Sequence, residues 1–431
     1  MTELIKKLVQ KIIGSLAGAY IKLKKIDIVA ITGSAGKTTA KMTIGQIVPS
    51  DQVYVPEGAY NTEYGVPLAL FREKVPTNPH NLVGWLFTMS RMIGKLFLPA
   101  PYRSIVLEFG ADKPGDISYL TSFAKPHIAI VTTVLPVHLE GFGSVEEVAK
   151  EKSQLVRSLT AEDFAILNFD NEYVCEMAEY TVARVRSFGS VKADLQYDNL
   201  RMAEKGMSFD IVWKDEKRRA QMSVAAPQLI PSYLSAVLVG LVMGNDFEGL
   251  VRKLSDVKSE KGRMNMLAGV RGSIIIDDSY NSNPESAKAA LTVLSRFKGR
   301  KIAVLGSMNE LGSFAEEGHV QVGELASKAA DYVITIGETA GQYLYPVAAK
   351  KLNKKFVQKF ANAYEAGEYL AGLVEGGDTL LFKGSQNGVF AEEAVKYVLD
   401  RPELASELLV RQSKMWQDKK DFLRNKPKEI K

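Results

Sequence analysis

The fold is decided by one stretch, Ile26-Asp27-Ile28-Val29-Ala30-Ile31-Thr32-Gly33-Ser34-Ala35-Gly36-Lys37-Thr38-Thr39. Its first half is rich in β-branched residues and predicts a buried strand, and its second half predicts a glycine turn that opens a helix. Glycines let backbone N–H groups approach phosphate oxygens, and the helix N-terminus adds a positive dipole. The stretch therefore predicts a phosphate-binding loop. Its candidate binding residues are Gly33, Ser34, Ala35, Gly36, Lys37, Thr38 and Thr39.

Within this loop, Lys37 supplies a mobile positive charge and the Thr38 hydroxyl can reach a magnesium ion. The full phosphate-loop pattern has a glycine six residues before the lysine, where this chain has Ile31. The stretch is thus a shortened variant, and a chance Gly-Lys-Thr at a strand–helix junction is the alternative. The strand before it and the helix after it favour the phosphate loop.

The composition sets the class of protein. At 431 residues the chain is long enough for two or three domains, and 46% hydrophobic with 24% charged residues is typical of a soluble globular protein. A net charge of +5 without a dense basic run argues against nucleic acid as a partner. The single cysteine, Cys175, excludes an internal disulfide and indicates a reducing cytoplasm. No continuous apolar run reaches the length of a membrane span.

Alternating strand and helix patterns predict an α/β fold in two parts. Strands are expected at 104–107, 127–131 and 164–167, followed by a small antiparallel meander at about 185–224. A second unit begins near Arg263, with strands at 272–276, 301–305, 331–336 and 378–382. We predict a central phosphate-loop domain with a mostly parallel sheet and a Rossmann-like C-terminal domain. The predicted divisions are 1–25 (basic amphipathic helix), 26–262 (central domain), 263–402 (C-terminal domain) and 403–431 (charged, solvated helical tail).

Two apolar segments leave alternatives open. Residues 1–25 place Leu4, Ile5, Leu8, Val9, Ile12 and Ile13 on one helical face, beside several lysines. That helix either packs on the domain or lies on a membrane surface. Residues 82–98 are strongly apolar, with only Arg91 and Lys95 charged, and predict a buried helix or an interfacial one.

Polar residues at the ends of predicted strands are the candidates for chemistry, because ligands of open α/β sheets bind beyond the carboxyl ends of the strands. Glu108 follows one strand and is the best magnesium carboxylate, and His138 lies in a loop after another strand. Lys152, on a helical run, reads as an ordinary surface lysine. In the second unit, the loop from Asp277 to Pro284 could bind a ribose hydroxyl or a cation, and Arg263 could reach a phosphate.

Eight motifs, in order, carry a resemblance to a known family. They are Thr32–Thr39, Asn61–Leu68, Leu107–Ala111, His138–Ser144, Gly262–Met264, Asp277–Pro284, Leu305–Gly312 and Lys383–Ser385. With these motifs the chain resembles the Mur ligases, the ATP-dependent amide-bond-forming enzymes of peptidoglycan precursor synthesis. Within that family it looks most like the branch that adds D-alanyl-D-alanine to a UDP-muramoyl tripeptide. The resemblance covers residues 26 to about 400.

The resemblance implies a role for each matched residue. Lys37 would bind the β- and γ-phosphates of ATP, Thr38 and Glu108 would hold one magnesium ion, and His138 would hold a second. Lys152 matches a lysine that is carbamylated in the family. The implied ATP contacts of the second domain are Arg263, Asp278 and Asn283. The implied substrate contacts are Asn61 and Thr62 for the acceptor, and Asn309, Lys383 and Ser385 for the incoming amine.

The resemblance also implies the reaction. A carboxylate of the cell-wall precursor attacks the γ-phosphate of ATP, and the amine of an amino acid or dipeptide then attacks the acyl phosphate. ATP and Mg²⁺ are the implied cofactors, and the implied location is cytoplasmic. The apolar, lysine-containing composition of residues 1–25 and 82–98 gives, as one of the two alternatives above, contact with the inner face of the membrane.

Two departures from the family pattern bear on the substrates. Only about 25 residues precede the phosphate-loop strand, where the family has a UDP-binding domain, so we expect a lipid-linked or otherwise different acceptor. In the segment that contacts adenine, Gln228 and Ser232 replace a histidine and an asparagine. The alternatives left open are a ligase for a folate- or polyglutamate-like carboxylate, a phosphate-loop NTPase switch, and a non-catalytic ATP-binding scaffold.

Overall fold

A computed structural model of the chain describes residues 3–58, 60–76, 81–137, 139–203 and 206–425. The chain divides into two compact units. The first ends at Val257, and the second comprises Lys258–Lys431 together with the short stretches Met202–Met207 and Val224–Gln228. Each unit is built around one β-sheet.

The first unit contains an eight-stranded sheet in the order β2-β1-β3-β4-β5-β6-β7-β8. Its strands are β1 Asp27–Thr32, β2 Ser104–Glu108, β3 Ile128–Val131, β4 Phe164–Asn168, β5 Arg184–Gly189, β6 Leu195–Met202, β7 Met207–Trp213 and β8 Glu216–Met222. Strand β1 is fully buried after its first residue and pairs in parallel with β2 and β3. The central strands are nearly continuous apolar runs because helices cover both faces of a parallel sheet.

The first unit also contains ten α-helices among its described residues. They are α1 Glu3–Lys24, α2 Lys37–Ile47, α3 Gly65–Leu70, α4 Leu82–Leu96, α5 Asp116–Phe123, α6 Leu139–Phe142, α7 Val145–Arg157, α8 Glu172–Glu176, α9 Ile230–Val242 and α10 Phe247–Lys253. The predicted strand before the phosphate loop and the helix after it are therefore confirmed as β1 and α2.

The antiparallel part of this sheet is smaller than predicted. Strand β5 pairs in parallel with β4, and β6 pairs in parallel with β5. The predicted antiparallel meander therefore does not begin at Val185. Strands β7 and β8 are joined by the two-residue turn Lys214-Asp215, a connection that only antiparallel neighbours permit. The apolar alternation of 185–189 could not distinguish these directions, because both kinds of strand alternate their side chains.

Helix α1 packs on the domain through only part of the predicted face, the part that contains Val9 and Ile13. Its buried residues are Val9, Ile13, Gly14, Ala17 and Tyr20. Leu4, Leu8 and Ile12, which were expected on the same face, are exposed. The helix therefore has two apolar stripes, and the core takes only one of them.

Helix α4 is likewise buried on one side only. Trp85, Thr88, Met89 and Met92 face the core, and most of the opposite face is open to solvent. The expectation of a buried helix is thus correct for the inner face and wrong for the outer one. None of the helices among the described residues combines the length and the apolar character needed to cross a bilayer.

The second unit contains a six-stranded sheet in the order β13-β12-β11-β14-β10-β9. Its strands are β9 Asn265–Ala268, β10 Ile274–Asp278, β11 Lys301–Gly306, β12 Tyr332–Ile336, β13 Val357–Phe360 and β14 Thr379–Lys383. All pairings are parallel except that of β9 with β10. The α-helices described here are α11 Pro284–Leu294, α12 Ala315–Ala329, α13 Tyr345–Lys351, α14 Ala363–Leu373, α15 Glu392–Val395, α16 Ala405–Leu408 and α17 Lys414–Asn425.

The expectation of a solvated tail after residue 402 is wrong for part of that segment. Lys420, on α17, is almost fully buried and contacts Glu392 and Glu393 at 2.9 and 2.5 Å. Arg411 also binds Glu392, and its guanidinium donates to the backbone carbonyls of Ser279 and Tyr280. Buried charges are tolerated when they are paired in this way, and a sequence cannot show which charges will meet.

Candidate active site

The phosphate loop joins β1 to α2 in a conformation that its glycines make possible. Gly33 and Gly36 have φ angles of +146° and +83°. A Cβ atom at Gly33 would lie 2.0 Å from the Thr132 hydroxyl, so this position has no room for a side chain. Gly36 is the N-cap of α2, and Lys37 is its first residue. No side chain of the N-cap residue satisfies the N–H groups at this helix start, which is the arrangement that anions favour at helix N-termini.

The ends of the neighbouring strands brace this loop. Thr132, just after β3, donates a 2.6 Å hydrogen bond to the Ala35 carbonyl, and Asn168 of β4 donates to the Thr132 carbonyl at 2.7 Å. Ser232 of α9 donates to the Gly36 carbonyl at 3.1 Å. The serine that departs from the family's adenine segment is therefore a contact of the phosphate loop.

Glu108, at the end of β2, contacts the phosphate loop where the loop enters helix α2. The Thr38 hydroxyl donates to Glu108 Oε2 at 2.9 Å, as expected of two ligands of one ion. Magnesium is usually held by one or two protein oxygens together with phosphate oxygens and water, and these two groups match that donor set. Glu108 is 2% exposed.

Lys41 is a residue of this site that our reading of the sequence missed. Its Nζ lies 2.9 Å from Glu108 Oε1, and the two side chains are 3% and 2% exposed. It also donates to the Gly58 carbonyl at 2.7 Å. A signal was available, because Lys41 follows Thr38 by three positions and so shares its face of α2.

Removing this counter-charge has a predictable cost. Lys41→Met is expected to lower the free energy of unfolding by about 3 kcal/mol, because Glu108 would be left buried without its ion pair. Urea unfolding measures this value. The double variant Lys41→Met/Glu108→Gln should recover most of the loss, and Lys150→Met, in an exposed pair, should change little. A double variant no more stable than Lys41→Met would contradict this account.

Lys152 is buried, contrary to the expectation of a surface lysine. It is 2% exposed on α7. Burial, and then the nearby charge of Lys37, lower the pKa of Lys152 to about 7. A large share of this amine is therefore neutral near neutral pH, the form that reacts with carbon dioxide. The adjacent Glu151 has a structural task, since its carboxylate accepts the N–H groups of Gly115 and Ile117.

The predicted acceptor residues lie beside a cavity of about 250 Å³. Asn61 and Thr62 line it, and the Asn61 carbonyl accepts the N–H of Gly110 just after β2. The opposite walls include Gln10 of α1 and Tyr119 of α5, whose hydroxyl donates to the Gln10 carbonyl at 3.0 Å. The first helix of the chain thus forms part of a pocket next to the predicted magnesium carboxylate.

In the second unit, predicted residues converge at the carboxyl ends of three adjacent strands. Lys383 of β14 binds Asp278 of β10 at 2.6 Å and is itself 3% exposed. Ser385 accepts the backbone N–H of Asn309 at 2.9 Å, and the Asn309 amide donates to the Asn387 carbonyl. The predicted substrate-binding residues Asn309, Lys383 and Ser385 thus lie together at one polar edge of the second sheet.

The remaining predicted residues flank that edge. The guanidinium of Arg263 lies 4.1 Å from the centre of the Tyr280 ring. Asn283 is the N-cap of α11, where its side chain accepts the Ser286 N–H in a capping box. Asp277 is buried, which raises its pKa to about 6. His138 lies outside the described residues.

His319 of α12 is a second residue that the sequence did not suggest. Its Nε2 accepts the Met308 N–H at 2.9 Å, and its Nδ1 is 2.7 Å from the Ala315 carbonyl. The Met308 contact needs the neutral ring, because only an unprotonated Nε2 can accept, while Nδ1–H donates to the Ala315 carbonyl. Burial lowers the pKa of His319 below its ordinary 6.5. It therefore fixes the backbone next to Asn309.

This histidine makes stability depend on pH. Because the pKa is lower in the folded state, the unfolded chain takes up the proton first, and stability is lost as the pH falls below about 6.5. In His319→Gln, whose amide oxygen can accept the Met308 N–H, this dependence should be weaker. Urea unfolding at pH 7.5 and 5.5 tests the difference, with His127→Gln as the control. Identical slopes in wild type and His319→Gln would contradict the assignment.

The first unit carries a phosphate loop at the carboxyl edge of its parallel strands, and the second unit carries a polar edge of its own. This combination is typical of a nucleotide-dependent α/β enzyme. Residues 31–240 match the Mur ligase middle domain, and residues 262–386 match the Mur ligase, glutamate ligase domain. The chain belongs to the Mur ligase family, and it is an ATP-dependent amide ligase of the Mur type.

Individual relatives agree with this assignment. The chain is 28% identical over 343 residues to UDP-N-acetylmuramoyl-tripeptide–D-alanyl-D-alanine ligase of Escherichia coli, covering 78% of this chain and 70% of that protein. The chain is 27% identical to the Bacillus subtilis enzyme of the same name, and the match covers 90% of this chain and 79% of that protein. The fold is shared with the MurF ligase of Thermotoga maritima in complex with ADP, with a TM-score of 0.72, 23% identity, and coverage of 92% and 84%.

Proposed function

We propose that this ligase joins D-alanyl-D-alanine, or a similar amino acid or dipeptide, to the peptide carboxylate of a peptidoglycan precursor. The observation that carries the proposal is the cluster of Lys37, Thr38 and Glu108 with the buried Lys152 nearby. In addition, the relatives named above act on these two substrates according to their names. An NTPase switch would not need a buried lysine with a lowered pKa beside its phosphate loop.

The proposed reaction has two steps. A carboxylate oxygen of the precursor attacks the γ-phosphorus of ATP, the bond to the β-phosphate oxygen breaks, and ADP leaves. The amine of the second substrate then attacks the acyl carbon, loses a proton and expels inorganic phosphate. The loop N–H groups and Lys37 would neutralise charge on the transferred phosphoryl group.

Two further groups are part of the proposal. Thr38 and Glu108 would hold Mg²⁺, which supplies charge neutralisation at the phosphates, and His138 would hold a second ion. Lys152 would carry a carbamate, formed when its neutral amine attacks carbon dioxide and loses a proton. The lowered pKa of Lys152 supports this step.

The two units would have separate tasks. We assign nucleotide and acceptor binding to a central domain, 26–262, with Asn61 and Thr62 at the acceptor cavity. In the C-terminal domain, 263–402, Arg263, Asp278 and Asn283 would contact the nucleotide. Asn309, Lys383 and Ser385 would bind the amine substrate, and their shared polar edge supports that grouping.

A second candidate function is ligation to a lipid-linked precursor by a cytoplasmic enzyme that touches the inner face of the membrane through 1–25 and 82–98. It is favoured by one observation. Helix α1 supplies Gln10 to the cavity wall and at the same time carries exposed Leu4 and Leu8.

Phosphate release from ATP and Mg²⁺ tests these proposals. D-Alanyl-D-alanine is supplied with UDP-N-acetylmuramoyl-tripeptide or with its lipid-linked counterpart, and each substrate is also supplied alone. We expect release that needs both substrates, and a condensed product by mass spectrometry. Release only with the lipid-linked precursor would select the second candidate, and no release with either precursor would contradict both.

A further inference from the structure

Exposed large apolar side chains are concentrated in the first quarter of the chain. Of the 19 among the described residues, 12 lie between Leu4 and Leu98, and only seven are scattered over the rest. Helix α4 and the two residues after it carry seven of the 12, including Leu86, Phe87 and Phe97, which are 55%, 65% and 83% exposed. A monomeric domain rarely exposes such a contiguous apolar surface without a partner.

Helices α1 and α4 lie side by side on the same core. Near their first turns, the Tyr64 hydroxyl donates to the Lys6 carbonyl at 3.0 Å, while the Tyr64 ring lies 5.5 Å from that of Trp85. One aromatic residue therefore bridges the beginnings of the two helices.

A second aromatic residue bridges their ends. The Phe71 ring lies 4.4 Å from the ring of Tyr20 on α1, and the Phe71 carbonyl accepts the ammonium group of Lys95 on α4 at 2.7 Å. The helices thus run in the same direction over one core. Since each buries one face in that core, their outward faces point to the same side of the unit.

The charge on these outward faces is basic. Helix α4 contains no acidic residue, and its Arg91 and Lys95 both pair with Glu73, which lies outside the helix. On α1, Lys7, Lys11 and Lys22 are exposed beside the Leu4–Leu8–Ile12 stripe. The single acid of α1, Glu3, pairs with Lys6.

We propose that these outward faces of α1 and α4, here called the apolar face, bind an anionic phospholipid bilayer. Apolar side chains would enter the acyl region while lysines contact the acidic headgroups, as in helices that lie in the interface plane. The excess of positive charge disfavours a second copy of the chain as the partner, because two such faces would repel each other. This inference extends the second candidate function above.

The face also explains how a lipid-linked acceptor reaches the site. Helix α1 borders α4 on one flank and α5 on the other, where Tyr119 binds the Gln10 carbonyl. The acceptor cavity opens on that second flank. A protein docked through the apolar face holds this cavity next to the membrane surface, so a precursor anchored by its lipid can enter while the lipid stays in the bilayer.

Sedimentation with vesicles tests docking independently of ligation, since it needs neither ATP nor substrate. The full chain is mixed with vesicles containing phosphatidylglycerol, or with phosphatidylcholine alone. We expect binding to the anionic vesicles, weakened at least about tenfold by raised salt or by Phe87→Glu/Phe97→Glu. The matched control is Phe422→Glu, which removes a phenylalanine of similar exposure (68%) from α17.

The comparison with the control decides the outcome. Since all three phenylalanines are exposed, the variants should keep the circular dichroism spectrum of the wild type. Failure of the wild type to bind anionic vesicles would overturn the proposal, and so would an equal loss in Phe422→Glu. A dimer that Phe87→Glu/Phe97→Glu dissociates, without vesicle binding by the wild type, would assign the face to a second copy and also overturn it. Ligation of a soluble precursor would be unaffected by any of these results.

Discussion

Lys37→Ala is expected to reduce ATP-dependent ligation by about a thousandfold or more while leaving the fold intact. The ammonium group at the start of α2 is the only mobile cation that our proposal assigns to the β- and γ-phosphates. One well-placed charge on a transferred phosphoryl group contributes about 10³-fold or more to the rate. The measurement is phosphate release with both substrates, together with the melting temperature of the variant.

The control for this variant is Lys125→Ala, which removes an exposed lysine just after α5. It should retain the wild-type rate, and both variants should unfold at the wild-type temperature. Unchanged ligation by Lys37→Ala would refute the assignment of the phosphate loop as the catalytic nucleotide site.

The second large effect is expected at Lys152. Lys152→Ala should lose about 100-fold or more in turnover, because the variant cannot form the proposed carbamate near the phosphates. Short-chain carboxylic acids such as acetate or propionate should restore part of the rate, since each places an anion in the space left by the side chain. The readout is turnover against added acid, with wild type and Lys150→Ala measured in parallel.

Rescue of Lys152→Ala by added carboxylic acids would show that the variant lost an anionic group and not merely side-chain packing. Lys150 is exposed on the same helix, so Lys150→Ala should keep full activity and show no response to added acid. Full activity in Lys152→Ala would remove this residue from the site. Loss of activity without rescue would leave Lys152 in the site but contradict the carbamate.

The phosphate loop could be predicted because all of its determinants are local. The β-branched strand, two glycines and Lys-Thr-Thr occupy one continuous stretch, and the strands at 104, 128 and 164 show the same short apolar runs. The polar edge of the second unit could also be predicted, because parallel strands bring their carboxyl ends together whatever their separation in sequence.

The rest depended on contacts between distant segments. The burial of Lys152, the pairing of Lys41 with Glu108 and the His319–Met308 hydrogen bond each join residues from different elements. Helix α1 illustrates the same limit, because the sequence does not say which of its two apolar stripes will be covered by the neighbouring helices α3, α4 and α5. A periodic pattern predicts that a face exists, and only the packing decides which one is buried.

The central claim is that the precursor carboxylate attacks the γ-phosphorus of ATP, and isotope transfer tests it most directly. The precursor is prepared with oxygen-18 in the reacting carboxylate and is ligated to D-alanyl-D-alanine with unlabelled ATP in unlabelled water. The account predicts one labelled oxygen in each inorganic phosphate released and none in the nucleotide. Label in AMP, or phosphate without label, would contradict it, because either result would mean that no acyl phosphate forms.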